Sequence, residues 1–297
     1  MEWLTSIRKT IDIIEENLTE KISVRDIASR VFISEFLLQK GFSLMTGYSI
    51  SEYIKSRRLY LAALDIQKGN DKIIDIALKY CYETPESFTK AFTRFHGATP
   101  TQVRAGERIN IFLPLKINVT ISGGNKMNVK IITLPSFSVI GFERNFSCDD
   151  SHKTIPAFWD EVFSAYSHLY SGSEPKNTIE KAFISNNVGE YGICIDNMSH
   201  EGKISYMIGG KYTGGDIPDG MKVYNVESGQ WAIFDCIGAM PKAIQDVETR
   251  IYNDWLPNNP DYELCGDATI EWYDPECSDT SSPDYHSAVW VMVKNKE

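Results

Sequence analysis

The run Thr269-Ile270-Glu271-Trp272-Tyr273 sets a carboxylate among aromatic and β-branched residues, and its composition reads as a strand. A period of two then puts Glu271 on one face with Thr269 and Tyr273, opposite Ile270 and Trp272. An apolar cleft holding one carboxylate attracts a lipophilic cation, through Coulomb attraction with little water to screen it and through cation–π contact. On an open strand the same residue is an ordinary surface glutamate, and the residue pattern alone leaves both readings open. Trp159, Tyr191, Tyr206, Trp231 and Trp255 divide in the same way between lining such a cleft and filling a core.

Two helices opening near Glu35 and Pro85 offer a different chemistry. Each follows a short helix and a turn, the arrangement in which one helix holds another at the angle needed to enter a DNA major groove about 12 Å wide. A rigid helix between the two units could set them about one DNA turn, roughly 34 Å, apart, so that one chain reads successive grooves. Other chemistries lack their residues. His96, His152, His168, His200 and His286 are dispersed, and Cys148 with His152 four positions on is the one ligand-like pair, so neither a metal nor a cofactor is expected. Gly209-Gly210 and Gly214-Gly215 read as turns rather than a phosphate loop, and serine-nucleophile motifs are absent.

The elements that position these residues follow from periodicity and caps. Residues 1–106 carry apolar side chains three and four apart, with Trp3, Ile7, Ile11 and Ile14 as a first stripe. Ser23, with Asp26 three positions on, opens a short helix through Arg30; Ser34 caps the next, which Gly47 ends after about Met45. A longer helix over about 51–67 turns Tyr53, Ile54, Leu61 and Leu64 inward and closes at Gly69-Asn70. The pattern then recurs, with Ile73, Ile74, Ile76 and Ala77 in the short member and Thr84-Pro85 starting a helix to about Phe95.

Leu113-Pro114-Leu115 and Ser122-Gly123-Gly124-Asn125 cannot continue a helix, which places an interdomain connection at 109–126 between domains 1–108 and 127–297. Beyond it the pattern predicts strands over 129–133, 137–143, 191–196, 204–212, 230–236, 269–273 and 287–294. Two helices interrupt them, at about 156–170 (Phe158, Val162, Ala165, Leu169) and 242–256 (Ile244, Val247, Ile251, Trp255). The order strand, helix, strand, strand is thus read twice, at an offset of about 95 residues.

Composition bounds the class. A chain of 297 residues points to two or three domains, and 42% apolar with 24% charged residues excludes a disordered or low-complexity chain. The 6 cysteines form no C-x-x-C pair, no basic-then-apolar leader precedes Trp3, and no apolar run approaches the roughly 18 residues of a spanning helix. A cytoplasmic chain without membrane contact is expected. The net charge of -10 is uneven: 1–108 carries 16 Lys and Arg against 14 Asp and Glu, whereas 109–297 carries 14 against 26. An acidic whole disfavours non-specific nucleic-acid binding, yet a near-neutral half with cations gathered on one face can bind DNA.

The N-terminal motifs carry a resemblance. Ser34-Glu35-Phe36-Leu37-Leu38-Gln39-Lys40-Gly41-Phe42, Gly47 and Tyr53-Ile54-x-x-Arg57-Arg58-Leu59 resemble the AraC/XylS family. So do Ile74-x-Ile76-Ala77, Ser87-Phe88-Thr89-Lys90-Ala91-Phe92-x-Arg94-Phe95-x-Gly97-x-Thr99-Pro100 and Arg104. The resemblance implies that Phe36, Gln39 and Lys40 in the first recognition helix, and Glu86, Ser87 and Lys90 in the second, face base edges and nearby phosphates. Their chemistry suits this: Gln pairs with adenine, Lys with guanine or phosphate, Glu accepts from cytosine, and Phe packs on a thymine methyl. Arg57, Arg58, Arg94 and Arg104 stand between phosphate contact and internal salt bridging. Phe32 and Cys81 depart from the pattern, standing where glycine is common in the two turns.

Residues 127–297 are similar to the GyrI-like effector-binding domain through Ser228-Gly229-Gln230-Trp231-Ala232-Ile233-Phe234, Ile251-Tyr252-x-x-Trp255-Leu256-Pro257 and Ile270-Glu271-Trp272-Tyr273-x-Pro275. That resemblance implies a ligand-facing glutamate at Glu271 and ligands that are lipophilic, often cationic, small molecules. The expected fold is multi-domain: an all-α double helix-turn-helix domain, then an α+β GyrI-like domain built from two related β-α-β-β halves. The expected function is a ligand-responsive transcriptional regulator and not an enzyme, with double-stranded DNA, a small-molecule effector and RNA polymerase as candidate partners. Two other classes compete. Some GyrI-like domains hydrolyse electrophilic small molecules, with Glu271 as general base, and an acidic domain can be a protein-interaction module.

Overall fold

The computed structural model describes residues 2–69, 71–117, 127–147, 151–170, 172–195 and 203–296. Asn70, Ser122 to Asn125, Cys148, Asp196 and His200, which the sequence reading used, lie outside the described residues, as does the side chain of His152. The chain divides into two compact units, Glu2–Ile121 and Ser122–Glu297.

The first unit is helical: α1 (Glu2–Glu16), α2 (Val24–Val31), α3 (Glu35–Thr46), α4 (Ile50–Lys68), α5 (Ile73–Lys79), α6 (Pro85–His96) and α7 (Pro100–Arg104). Local chemistry sets most boundaries. The Ser23 hydroxyl accepts from Asp26 N–H while Asp26 accepts from Ser23 N–H, which satisfies two donors that the helix start leaves open. Ser34, Ser49 and Thr84 cap α3, α4 and α6, and Gly47, Gly69 and Gly97 end them in the left-handed conformation.

Trp3, Ile7, Ile11 and Ile14 are all buried. On α4 the inward stripe is Leu59, Ala62, Ala63 and Ile66, which packs on Ile76, Ala77, Tyr80, Phe88 and Phe92. Leu61 and Leu64, expected inward, are half-buried flanks, because the two alanines let neighbouring helices approach along their own side of α4. Both turns close alike. Phe32 (φ 58°) and Cys81 (φ 64°) take the left-handed conformation, with Ile33 N–H returning to Ala28 O and Tyr82 N–H to Ala77 O. The turn geometry is thus that of glycine, achieved with side chains for which it costs roughly 1–2 kcal/mol.

The second unit contains β1 (Val129–Leu134), β2 (Phe137–Ser147), α8 (Ser151–Tyr170), α9 (Thr178–Ser185), β3 (Tyr191–Ile195), β4 (Lys203–Tyr212), β5 (Lys222–Val226) and β6 (Gly229–Ile237). It continues with α10 (Lys242–Arg250), a π-helical turn (Ile251–Trp255), a last turn (Leu256–Asn258), β7 (Tyr262–Tyr273) and β8 (His286–Asn295). Among the described residues, eight strands form one antiparallel sheet in the order β1-β6-β8-β7-β3-β4-β2-β5. Exchanging the first four strands for the last four, in chain order, reverses this list onto itself, so the two halves are related by a pseudo-twofold at the β7–β3 junction. Each half also opens with a strand exchanged onto the other: β1 pairs with β6, and β5 with β2.

Helix α9 and strand β5 were not foreseen. The first is 8 residues and the second a 5-residue, half-exposed edge strand, both too short for a periodic signature. One face of the sheet receives the helices, through pairs such as Phe146–Phe158 and Phe234–Trp255. The opposite face carries Tyr191, Ile193, Met207, Trp231 and Ile270.

Candidate functional site

Glu271 lies on the helix-covered face of β7, at the pseudo-twofold junction, paired across to Gly192 of β3 and Val289 of β8. Tyr206 of β4 and Tyr273 of β7 both donate phenolic hydrogens to Glu271 Oε2, at 2.5 and 2.9 Å. Above them Trp159 of α8 donates from Nε1 to the Tyr206 hydroxyl at 3.0 Å, and its ring lies 4.7 Å from that of Tyr273 and 5.6 Å from that of Phe163. Burial, followed by the Glu271 charge, pushes both phenols well above the usual tyrosine range, so they stay protonated donors at neutral pH. Tyr206 is fully buried, whereas Glu271 and Tyr273 are half-buried.

Gly192 makes room for this arrangement. A Cβ there would lie 2.1 Å from the Tyr206 hydroxyl and 2.8 Å from Glu271 Oε2. The neighbouring row on the same face, Cys236, Ser287 and Tyr273, is set by the β6–β8–β7 register, and Glu248 of α10 is buried. Burial and then the Glu248 charge push the Cys236 thiol up to about 12, so it stays protonated.

Of the five aromatic residues expected at the cleft, Trp159 and Tyr206 join Glu271. Tyr191 and Trp231 do not: the register puts each on the opposite face, Tyr191 because its neighbour Gly192 pairs with Glu271, and Trp231 because Phe234, three residues on, shares the Glu271 row. Trp255 is on the helix-covered side but packs on Phe234, in the Glu271 row two strands away. Gly192 was missed because its proximity to Glu271 arises from long-range pairing; Tyr273 and Thr269 were legible from the period of two. Among the described residues no group of three or more His, Cys, Asp or Glu side chains could hold a metal ion, and no helix is long and apolar enough to cross a membrane.

In the helical unit the two recognition helices differ. On α3, Gln39 and Lys40 are half-exposed, with Gln39 Nε2 donating to Glu35 Oε1 at 3.0 Å and the Lys40 ammonium 5.8 Å from the Phe36 ring centroid. Phe36 itself is 2% exposed and belongs to the core, which removes it from the expected base contacts. Phe36-Leu37-Leu38 is a continuous apolar run, all buried, within which sequence cannot tell inward from outward. On α6, Glu86, Ser87 and Lys90 are exposed, although the Ser87 hydroxyl donates to Thr84 O at 2.9 Å within the cap. Pro85, Glu86, Thr89, Lys90 and Thr93 line an open depression along this helix, with Arg94 exposed beside it. Thr89, Thr93 and Arg94 extend the face at helical spacing and were not singled out as base contacts.

Three of the four arginines bond within the helical unit, although Arg104 is exposed. Arg57 is 4% exposed and pairs with Glu15. Arg58 donates to Leu18 O and Glu20 O, and Arg104 donates to Asp71 O.

This architecture defines an effector-binding sheet domain joined to a double helix-turn-helix domain. The chain belongs to the family of integron-associated effector binding proteins, which residues 130–289 match, and residues 27–106 match a helix-turn-helix domain family. It is similar to the HTH-type transcriptional activator AarP of Providencia stuartii, 38% identical over 94 residues, which cover 32% of this chain and 70% of AarP. It is also similar to the Right origin-binding protein of Escherichia coli (strain K12), 28% identical over 175 residues, or 59% of this chain. That match spans 60% of the relative's length. The solved structure of SAV2435 bound to tetraphenylphosphonium aligns with a TM-score of 0.44 at 22% identity, covering 57% of this chain and 94% of that one. The N-terminal unit is an AraC-type helix-turn-helix module and the C-terminal unit a GyrI-like effector-binding module.

Proposed function

We propose that this chain is a transcriptional regulator in which residues 1–108 read double-stranded DNA and residues 127–297, joined through 109–126, bind a lipophilic cation at Glu271. The observation that carries the reading is the pair of phenols that fix the Glu271 carboxylate, one buried and one half-buried, both in contact with Trp159. Two neutral donors orient the anion without adding positive charge of their own, and the adjoining rings offer π faces and a poorly hydrated surface. DNA contact falls to Gln39 and Lys40 of α3 and to Glu86, Lys90 and Arg94 of α6, with Thr89 and Thr93 alongside. RNA polymerase is the third partner in this reading.

A ligand changes DNA occupancy only if it binds two states of the protein differently, with a typical coupling of about 1–3 kcal/mol. The test is calorimetric titration of the full chain with tetraphenylphosphonium, beside the Glu271→Gln variant, followed by anisotropy titration against duplex DNA. Saturable binding that the variant loses, together with sequence preference over random duplex at moderate salt, supports the reading. Equal binding by both proteins, or no preference for any duplex, overturns it.

A further inference from the structure

Residues 109–117 have no regular secondary structure, yet they are held along the helical unit by a dense set of contacts. The Phe112 ring meets three others: Tyr48, just after the α3 cap, edge-on at 5.4 Å; Tyr53 of α4 at 6.0 Å; and Phe95 of α6 edge-on at 6.1 Å. Tyr48 and Phe95 belong to different helix-turn-helix units, and Phe112 touches both as well as the helix that connects them.

Its neighbours fasten it. Arg57 Nη1 donates to Phe112 O, while Arg57 Nε and Nη2 donate to the two oxygens of Glu15 on α1 at 2.8 and 2.7 Å. Leu115 N–H donates to the Tyr53 hydroxyl at 3.1 Å, and that hydroxyl donates to Glu15 Oε1 at 2.7 Å. On the other side Asn110 N–H donates to His96 Nδ1 at 3.1 Å and Asn110 Nδ2 to Phe95 O at 2.6 Å. The His96 Nε2 hydrogen in turn reaches Leu59 O of α4 at 3.1 Å. Burial holds His96 below the usual histidine range, which keeps Nδ1 an acceptor for Asn110 at neutral pH.

The segment turns Ile109 and Phe112 toward the helices, with Asn110 exposed but hydrogen-bonded to α6, and leaves Ile111 71% and Leu113 66% exposed. An unstructured connection would bury its largest apolar groups as chance allows. Here Ile111 and Leu113 face solvent while Ile109 and Phe112 face the helices. The helix-turn-helix match ends at residue 106, so this fastening is an addition to the reader module.

We infer that Phe112 is a positioning residue: it clasps the end of α3 and the end of α6 onto α4, and thereby fixes the angle between the two reading helices. This rests on the DNA reading proposed above. Two rigidly related readers gain from one another's binding as linked modules do, and that gain is lost when their relative orientation is free.

The test uses the full chain and a duplex selected from a random library by the unaltered protein. Anisotropy compares that duplex with one in which half a turn is inserted between the two contacted segments, and with one in which a single segment is scrambled. The unaltered chain is expected to lose about 100-fold in affinity for either altered duplex. Phe112→Ala is expected to bind the selected duplex about tenfold more weakly and to discriminate little between spacings, with unchanged affinity for the single-segment duplex. Phe112→Tyr, which keeps the ring, should restore spacing discrimination.

An alanine variant that keeps the spacing preference refutes the clasp. So does one that loses single-segment affinity in proportion to its fall in melting temperature, because that marks a merely structural role. If the unaltered chain prefers no duplex over random DNA, the DNA reading itself has failed and the clasp with it.

Discussion

The helical unit and the sheet unit use charge in opposite ways. On α6 the groups proposed to meet DNA, Glu86, Lys90 and Arg94, stand in solvent on a cap-stabilised helix. The buried charges of the same unit are neutralised within it: Asp65 accepts from Lys68, Lys79 and Tyr80 at 2.9, 2.7 and 2.8 Å, and Arg57 is matched to Glu15. In the sheet unit the carboxylate proposed to bind the ligand, Glu271, is half-buried, and its Oε2 receives neutral phenols where Asp65 receives two ammonium groups. A duplex is large and rigid, so a site for it has to be exposed and spread over many weak contacts. A small cation has to be stripped of water, so a site for it has to be enclosed and concentrated in few. Substitutions should therefore act steeply in the sheet unit and gradually on the reading helices.

The steepest expected effect is at Glu271. Glu271→Gln keeps the shape and removes the charge, and calorimetry should show tetraphenylphosphonium affinity falling about 100-fold or more, roughly 3 kcal/mol. Gly192→Ala follows. The added methyl collides with the Tyr206 hydroxyl and with Glu271, so cation binding should be lost while thermal melting reports a destabilisation of about 1–3 kcal/mol. Intact binding in Gly192→Ala would mean that the phenol–carboxylate geometry is not what the ligand reads.

Asp65 offers the internal contrast. Burial pushes its carboxyl up, but hydrogen bonds from Lys79, Lys68 and Tyr80 outweigh this and bring it down to about 2. A carboxyl depressed in the folded state contributes stability that is complete above its unfolded value near 3.9 and is lost as pH falls through its folded value. Asp65→Asn should therefore cost about 2 kcal/mol at neutral pH in urea unfolding, with the gap to the unaltered chain closing between about pH 4 and pH 2. Cation binding should not change, which separates the structural carboxylate from the functional one.

The exposed helix should answer weakly. Lys90→Ala is expected to lower DNA affinity by about 1 kcal/mol and to reduce the slope of log affinity against log salt by about 1, whatever the sequence of the duplex. The smallest effect is expected at the first turn. Phe32 is 94% exposed and left-handed, so Phe32→Gly should raise stability by up to about 1 kcal/mol in thermal melting without loss of DNA binding. A fall in DNA affinity there would show that the exposed ring itself contacts the duplex.

The same contrast explains what the sequence could reveal. Caps such as Ser23, Ser34 and Thr84 and the inward stripe of α1 depend on residues a few positions apart, so the helical unit was legible nearly element by element. The α3 face was not, because Phe36, Leu37 and Leu38 are consecutive and all buried. In the sheet unit, strand existence and the facing of Thr269, Glu271 and Tyr273 followed from a period of two. Which aromatics share that face depends on register between strands distant in sequence, and a shift of one position moved Tyr191 and Trp231 to the far side. The contacts of Trp159 and Gly192 with the site arise the same way, from tertiary pairing that no local pattern encodes.

The proposal that cation binding at Glu271 changes DNA binding by the helical unit is tested most directly by reciprocity. Tetraphenylphosphonium affinity of the full chain is measured with and without saturating selected duplex, and duplex affinity with and without saturating cation. The account predicts that both ratios are equal and lie between about 5- and 150-fold, and that neither shift occurs in Glu271→Gln. Cation and DNA binding that proceed side by side with both ratios at unity would contradict it.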